Sequence, residues 1–266
     1  MSYILDRSPM EEGEAGMRRT CTLLAVGAVL VCASSSTQAQ NLLTNGNLDL
    51  TGAVEIVPGF FLPKPDSWVN EGFRAISGPY EDELSSEPWA GPAPTPVTTD
   101  GNMNPPHPEG CGGPDCGVFF KAFTGNVMPN GPATGHLYQD VPATPGVLYT
   151  LTGWAGGEPN FLGGAEFAIE FFNGGGTEIG GASLNLITAG LLVDNGMAFD
   201  YKQYTVMATA PAGTAFVRAR ASMIDGIANP LGGGQAYVVD DFVLVPEPST
   251  LAMVLLSPLA LARRRR

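Results

Sequence analysis

From Gly117 onward, apolar and polar residues alternate in short runs, and most runs end at a glycine or proline. Val118–Phe123 (VFFKAF) and His136–Val141 (HLYQDV) come first. A Pro-Ala-Thr-Pro-Gly turn then leads into Val147–Ala155 (VLYTLTGWA). Ala165–Asn173, Ala182–Leu186, Asp200–Ala210, Ala215–Met223 and Gln235–Val245 complete the series. A period of two places alternate side chains on opposite faces of a strand. The helical spacing of i, i+3, i+4 makes no convincing run outside two short apolar segments near the ends. Eight or nine strands joined by Gly/Pro turns predict an all-β protein, an antiparallel β-sandwich of jelly-roll type. A short hydrophobic helix is expected at each end.

The N-terminal side of the body is less regular. Asn41–Gly52 (NLLTNGNLDLTG) reads as a short strand at Leu42-Leu43, a turn at Asn45-Gly46 and an alternating Leu48-Asp49-Leu50. Trp68, after a proline-punctuated loop, is expected to plug the edge of the core. Residues 78–116 are rich in Pro and Gly, acidic at Glu81-Asp82-Glu83 and nearly free of alternation, and so read as one long loop of the same domain. Trp89 within it either anchors that loop or offers a ligand platform. Arg218 and Arg220 share one face of their strand, while Val217, Ala219 and Ala221 take the other. The arginines either line a concave binding face or neutralise carboxylates.

The ends read as targeting material. Met17-Arg18-Arg19, the apolar stretch Leu23–Val31 and the small-x-small Thr37-Gln38-Ala39 have the order of a secretion signal cleaved before Gln40. The first sixteen residues fit no such signal, so Met17 is the expected start. Residues 1–39 are therefore an upstream extension plus signal, and 40–245 the domain. That domain holds six Lys and Arg against 21 Asp and Glu, a net of −15. Such a surface repels phosphate backbones, which excludes nucleic acid as a partner. Of four cysteines, Cys111 and Cys116 remain after signal removal. In an exported chain the expected pairing is a local disulfide, since two histidines are too few for a zinc site.

The tail, 246–266, has three parts: Pro246-Glu247-Pro248, an apolar run from Leu251 to Ala262, and Arg263, Arg264, Arg265 and Arg266. The prolines predict a stiff, exposed break after the last strand. The apolar run is shorter than the roughly 20 residues of a stable span, and the arginines would stay cytoplasmic. This sequence resembles the PEP-CTERM sorting signal. The resemblance implies export by the secretion translocase, a transient membrane anchor, and processing by an exosortase-type enzyme at the cell surface. It also implies a setting of extracellular polysaccharide.

A second resemblance lies in the body. Asn41–Gly52, Gly135–Ala155 and Ala236–Val245 look like the phrases of galactose-binding-like jelly rolls found in carbohydrate-binding modules. That implies a structural Ca²⁺ between the first and last strands, held by Asn47, Asp49 and one of Asp240 and Asp241, with Asp241 preferred. The alternative is that these are solvated edge carboxylates. Sugar binding needs a flat aromatic with polar groups beside it. The candidates are Trp89, Tyr201 and Tyr204 with Arg218 and Arg220, while Trp154 reads as core. Glu166 and Glu170 share a strand face, but about 13 Å of strand separates them. That exceeds the roughly 5–9.5 Å of paired glycosidase carboxylates. His107 and His136 have no nucleophile motif to serve, so a non-catalytic matrix component is expected. The alternatives are a surface or adhesion protein without a small ligand, and an enzyme on the same scaffold.

Overall fold

The computed structural model describes residues 40–57, 60–74, 78–79, 84–88, 116–122, 132–192, 201–231 and 235–247. The chain divides into two units, 1–38 and 39–266, and every described residue belongs to the second. The described residues form thirteen strands and no helix: β1 (Thr51–Val57), β2 (Phe60–Pro65), β3 (Val69–Arg74), β4 (Gly78–Pro79), β5 (Leu84–Pro88), β6 (Cys116–Phe120), β7 (Ala133–Pro142), β8 (Leu148–Gly157), β9 (Leu162–Asn173), β10 (Glu178–Asn185), β11 (Lys202–Thr209), β12 (Thr214–Ile227) and β13 (Tyr237–Pro246). The expected terminal helices lie outside the described residues.

Pairing is antiparallel throughout. Strands β10-β9-β12-β7-β3-β4 make a six-stranded sheet, β11-β8-β13-β6-β5 a five-stranded sheet, and β1-β2 a separate hairpin. The alternation in the sequence is the alternation in burial. On β12, Val217, Ala219 and Ala221 are fully buried, while Phe216, Arg218 and Arg220 between them are partly exposed. Phe167, Ile169 and Phe171 of β9 point the same way and join Leu151, Val239, Phe242 and Leu244 of the other sheet in one core. Phe167 meets Phe242 edge-on at 5.1 Å. Burying such side chains contributes about 1.5–3 kcal/mol each.

The N-terminal segment closes one edge of this core. Leu42 and Leu43 do not form a strand; Leu42 N–H instead donates to Leu244 O (2.9 Å). Gln139 clamps the following turn, accepting from Thr44 N–H (2.8 Å) and donating to Thr44 O (2.9 Å) and Ser67 O (3.0 Å). Asn45 and Leu48 take left-handed φ values of 53° and 56°. Leu48 is thereby fully buried and Leu50 left exposed. Trp68 plugs the edge as expected, donating to Asn45 O (2.9 Å) and packing on Phe242.

Two expectations are corrected by the strand pairing. The stretch 78–116 is not loop throughout, because β5 adds to the five-stranded sheet by pairing with β6. Its sequence, LSSEP, carries no alternation, so this edge strand is defined by backbone hydrogen bonds. The Pro-Glu-Pro segment does not begin with a break either. Pro246 is the last residue of β13, opposite Tyr149. Glu247 is then held by two bonds, its N–H to Leu148 O (2.8 Å) and its Oε1 from the Thr150 hydroxyl (2.8 Å). Pro248 and Arg263–Arg266 lie outside the described residues. No helix among those residues is long and apolar enough to cross a membrane.

Candidate functional site

The outer face of the six-stranded sheet carries a polar depression of about 490 Å³. Register dictates its composition. Across one row, Val69 of β3, Tyr138 of β7, Arg220 of β12, Ala168 of β9 and Ser183 of β10 stand side by side. The next row reads Glu71, His136, Ser222, Glu166 and Asn185. Ala168 is small, so the Arg220 side chain can cross the sheet without obstruction.

Arg220 is the hub. Its Nε donates to Glu170 Oε1 (2.8 Å), and one terminal nitrogen lies 2.9 Å from Glu166 Oε1 and 2.6 Å from Glu170 Oε1. The other terminal nitrogen donates to Ser222 Oγ and approaches His136 Nδ1 (3.4 Å). Ser222 Oγ lies 2.7 Å from the same Nδ1. A guanidinium only donates, so the Arg220 nitrogen facing Nδ1 assigns Nδ1 as the acceptor and the ring proton to Nε2. Ser222 then accepts from Arg220 and donates its hydroxyl to the same Nδ1. Burial first, and the Arg220 charge second, lower the His136 pKa below its ordinary value.

Arg218 occupies one end of the depression. It binds Asp140 through two parallel bonds, Nε to Oδ1 at 2.7 Å and a terminal nitrogen to Oδ2 at 2.9 Å. Its Cζ lies 3.7 Å from the Tyr138 ring centre and 4.8 Å from that of Phe172. Phe172 in turn stacks on Phe216 at 4.9 Å. At the other flank, Phe73 of β3 pairs with Thr134 and is 51% exposed. Since β3 side chains alternate, Phe73 stands on the same face as Glu71.

These placements change several expectations. Arg218 and Arg220 do face away from the core, and they both line a depression and neutralise carboxylates. Glu166 and Glu170 are not kept apart by their strand. Both side chains lean to one nitrogen of Arg220, so their oxygens can be no farther apart than the sum of those two short contacts. Side-chain reach, which strand spacing ignores, removes the argument from distance. Tyr201 and Tyr204 are 4% and 6% exposed, too buried to serve as sugar platforms. Tyr204 faces the core, edge-on to Phe167. Trp154 is partly buried on the opposite face, packed with Tyr201 and Val238 rather than in the main core. Trp89 and Cys111 lie outside the described residues, as does the side chain of Cys116.

His136, Tyr138, Phe172, Glu71 and Phe73 were not singled out as ligand-binding residues by sequence. The alternation in HLYQDV puts His136, Tyr138 and Asp140 on one face, but only the strand order brings that face beside Arg218 and Arg220.

The proposed calcium ligands lie at the core's edge. Asn47 donates to an Asp49 carboxylate oxygen. Phe242 N–H bonds to Gly46 O (2.6 Å), which draws the β13 bulge carrying Asp241 against the same turn. Asp241 has a left-handed φ of 51°, so simple strand alternation does not govern it, and Asp240 and Asp241 are both buried. Two carboxylates and an amide fit a hard, oxygen-seeking ion in donor type. Among the described residues no three His, Cys, Asp or Glu side chains cluster as metal ligands.

No protein-family model and no curated protein matches this chain. Among solved structures it is similar to TmCBM61 in complex with β-1,4-galactotriose, with 16% identity over 79% of this chain and 100% of that one and a TM-score of 0.41. A CBM4 structure gives 13% identity over 77% and 99% of the two chains, with a TM-score of 0.39. The enzymatically active domain of bacteriophage CBA120 tailspike protein 4 gives 11% identity and a TM-score of 0.44; the match covers 78% of this chain and 21% of that one. Likeness at this level says nothing of ligand or activity. Among the described residues the chain's own geometry is all-β, two large sheets and a separate hairpin, with a polar depression on one outer face.

Proposed function

We propose that this protein is a non-catalytic carbohydrate-binding component of an extracellular polysaccharide matrix, built on a galactose-binding-like jelly roll. The sugar lies on the outer face of the six-stranded sheet. The observation that carries this reading is the Arg220 network: a guanidinium, two carboxylates and an imidazole held in fixed orientation on the same sheet face as the exposed Phe73 ring. Sugar recognition calls for that combination, since hydroxyls need oriented donors and acceptors and a pyranose needs an apolar plane. On the same reading Asn47, Asp49 and Asp241 hold a structural Ca²⁺, and Cys111 pairs with Cys116. The tail from Pro246 acts as the sorting signal for an exosortase-type enzyme after export.

Affinity electrophoresis of the full chain through the host's exopolysaccharide, with and without EDTA, tests this. Retardation weakened at least tenfold by Phe73→Ala supports the site, and loss of retardation in EDTA supports calcium. Unchanged mobility in that polymer would remove the reading for it. A hydrolytic reading draws on the convergence of Glu166 and Glu170, but a general acid must hold a proton, and both groups accept from Arg220. Release of reducing ends that disappears in Glu166→Gln would move the function to hydrolysis.

A further inference from the structure

We infer that the polymer bound on this face carries free amino groups, a glucosamine-type polysaccharide rather than a uronate. This rests on the sugar-binding reading and adds the class of ligand.

Charge balance within the depression is the starting point. Its lining includes Glu71, Glu166, Glu170 and Glu178 but only two guanidinium groups. Neither guanidinium is free to receive an anion. Arg218 is paired with Asp140 and flanked by the Tyr138 and Phe172 rings. Arg220 has all three nitrogens engaged, with Glu166, Glu170, Ser222 and His136. A carboxylate-bearing sugar would have to break one of these pairs and enter a face that remains net negative. The field of the surrounding acidic domain opposes it further.

Two carboxylates are left to act on a ligand. Glu71 receives only the Tyr138 hydroxyl, at 3.4 Å, and neither Glu71 nor Glu178 has a cationic partner among the described residues. Both residues are exposed. Glu71 is on β3 and Glu178 on β10, with β7, β12 and β9 between them. Four strand spacings across the sheet and six residues of register along it put their backbones about 28 Å apart. One amine cannot reach both, so the ligand must repeat its charge along a chain. Phe73, two residues along β3, and His136, opposite on β7, stand next to Glu71 and suit a sugar ring better than an extended basic peptide.

An exposed carboxylate–ammonium pair contributes up to about fivefold in affinity, so two multiply to at most about 25-fold, and about tenfold is the expected gain. The test is calorimetric titration of the full chain, in mildly acidic low-salt buffer, with a β-1,4-glucosamine hexamer and its fully N-acetylated counterpart. Polygalacturonate and an oligolysine of matched charge complete the set. The glucosamine hexamer should bind about tenfold more tightly than the acetylated one, and polygalacturonate should not bind. Glu71→Gln with Glu178→Gln, both at exposed positions and checked for unchanged thermal unfolding, should shrink that gap to about twofold. Equal or tighter binding of the acetylated hexamer overturns the inference while leaving the sugar site standing. Binding of polygalacturonate, or a gap that survives the double substitution, overturns it equally. Oligolysine binding as tightly as the glucosamine hexamer reduces the effect to charge alone and also overturns it. Absence of binding to every saccharide removes the sugar-binding reading itself.

Discussion

Replacing Arg220 by methionine tests whether the network on the outer face is a matched set of charges. The Arg220 side chain is 15% exposed, with Glu166 at 20% and Glu170 at 16%. Exposed pairs contribute about 0.2–1 kcal/mol, whereas removing one partner of a buried pair costs about 3–5 kcal/mol. These side chains lie between the two regimes and two carboxylates lose their partner together, so the expected loss is about 2 kcal/mol. Methionine keeps most of the apolar stem over Ala168, so little of that loss is packing. With a urea slope of roughly 1–3 kcal/mol/M, the unfolding midpoint should fall by about 1 M at neutral pH. The decisive arm is the triple variant Arg220→Met, Glu166→Gln, Glu170→Gln. If the loss comes from stranded charge, neutral amides at both positions recover most of it, because removing both partners costs less than removing one. A single variant within about 0.5 kcal/mol of the parent, or a triple variant no more stable than the single, would refute this account.

Other consequences are testable in the same way. A Cβ at Gly46 would sit 2.3 Å from Phe242 O, so Gly46→Ala should lower stability by about 2 kcal/mol or more, read as a fall in thermal midpoint. Tyr237 is fully buried, stacked on Phe120 at 4.7 Å, and its hydroxyl has no hydrogen-bond partner among the described residues. Tyr237→Phe should therefore be neutral or up to about 1 kcal/mol stabilising by urea unfolding. The lowered pKa of His136 means that, below an ordinary value of 6.5, the unfolded chain takes a proton the folded chain resists. Stability should fall as pH drops through and below that value, and His136→Gln should flatten this part of the profile. A variant with the same slope as the parent would contradict the assignment. Phe73→Ala should weaken polysaccharide retardation with little change in unfolding midpoint, because half of that side chain is already in water.

Part of the site was readable from side-chain period alone. The alternation of Val217, Arg218, Ala219, Arg220 and Ala221 foretold which residues enter the core, and Glu166 and Glu170 were correctly put on one face. Aromatic type was a poor guide beside this. Tyr201 and Tyr204 looked suited to stacking on a sugar but are buried, while Phe73 lies in a stretch with no clear strand pattern. Its exposure follows from β3 joining the six-stranded sheet next to β7, a contact more than sixty residues away in sequence.

The period-two pattern by itself determined that the described domain is all-β, which residues of the later strands face inward, and that two arginines and two glutamates stand on outer faces. It did so because burial in a sandwich selects every second side chain, and that selection is local. Strand order, the pairing of β5 with β6, the left-handed turns at Asn45 and Leu48 and the bulge at Asp241 were decided only in the tertiary structure. Each depends on backbone hydrogen bonds between segments far apart in the chain, and a backbone amide carries no trace of its partner in the sequence. The convergence of Arg220, Glu166, Glu170, Ser222 and His136 has the same origin. Three strands had to be placed side by side before side chains of that length could meet.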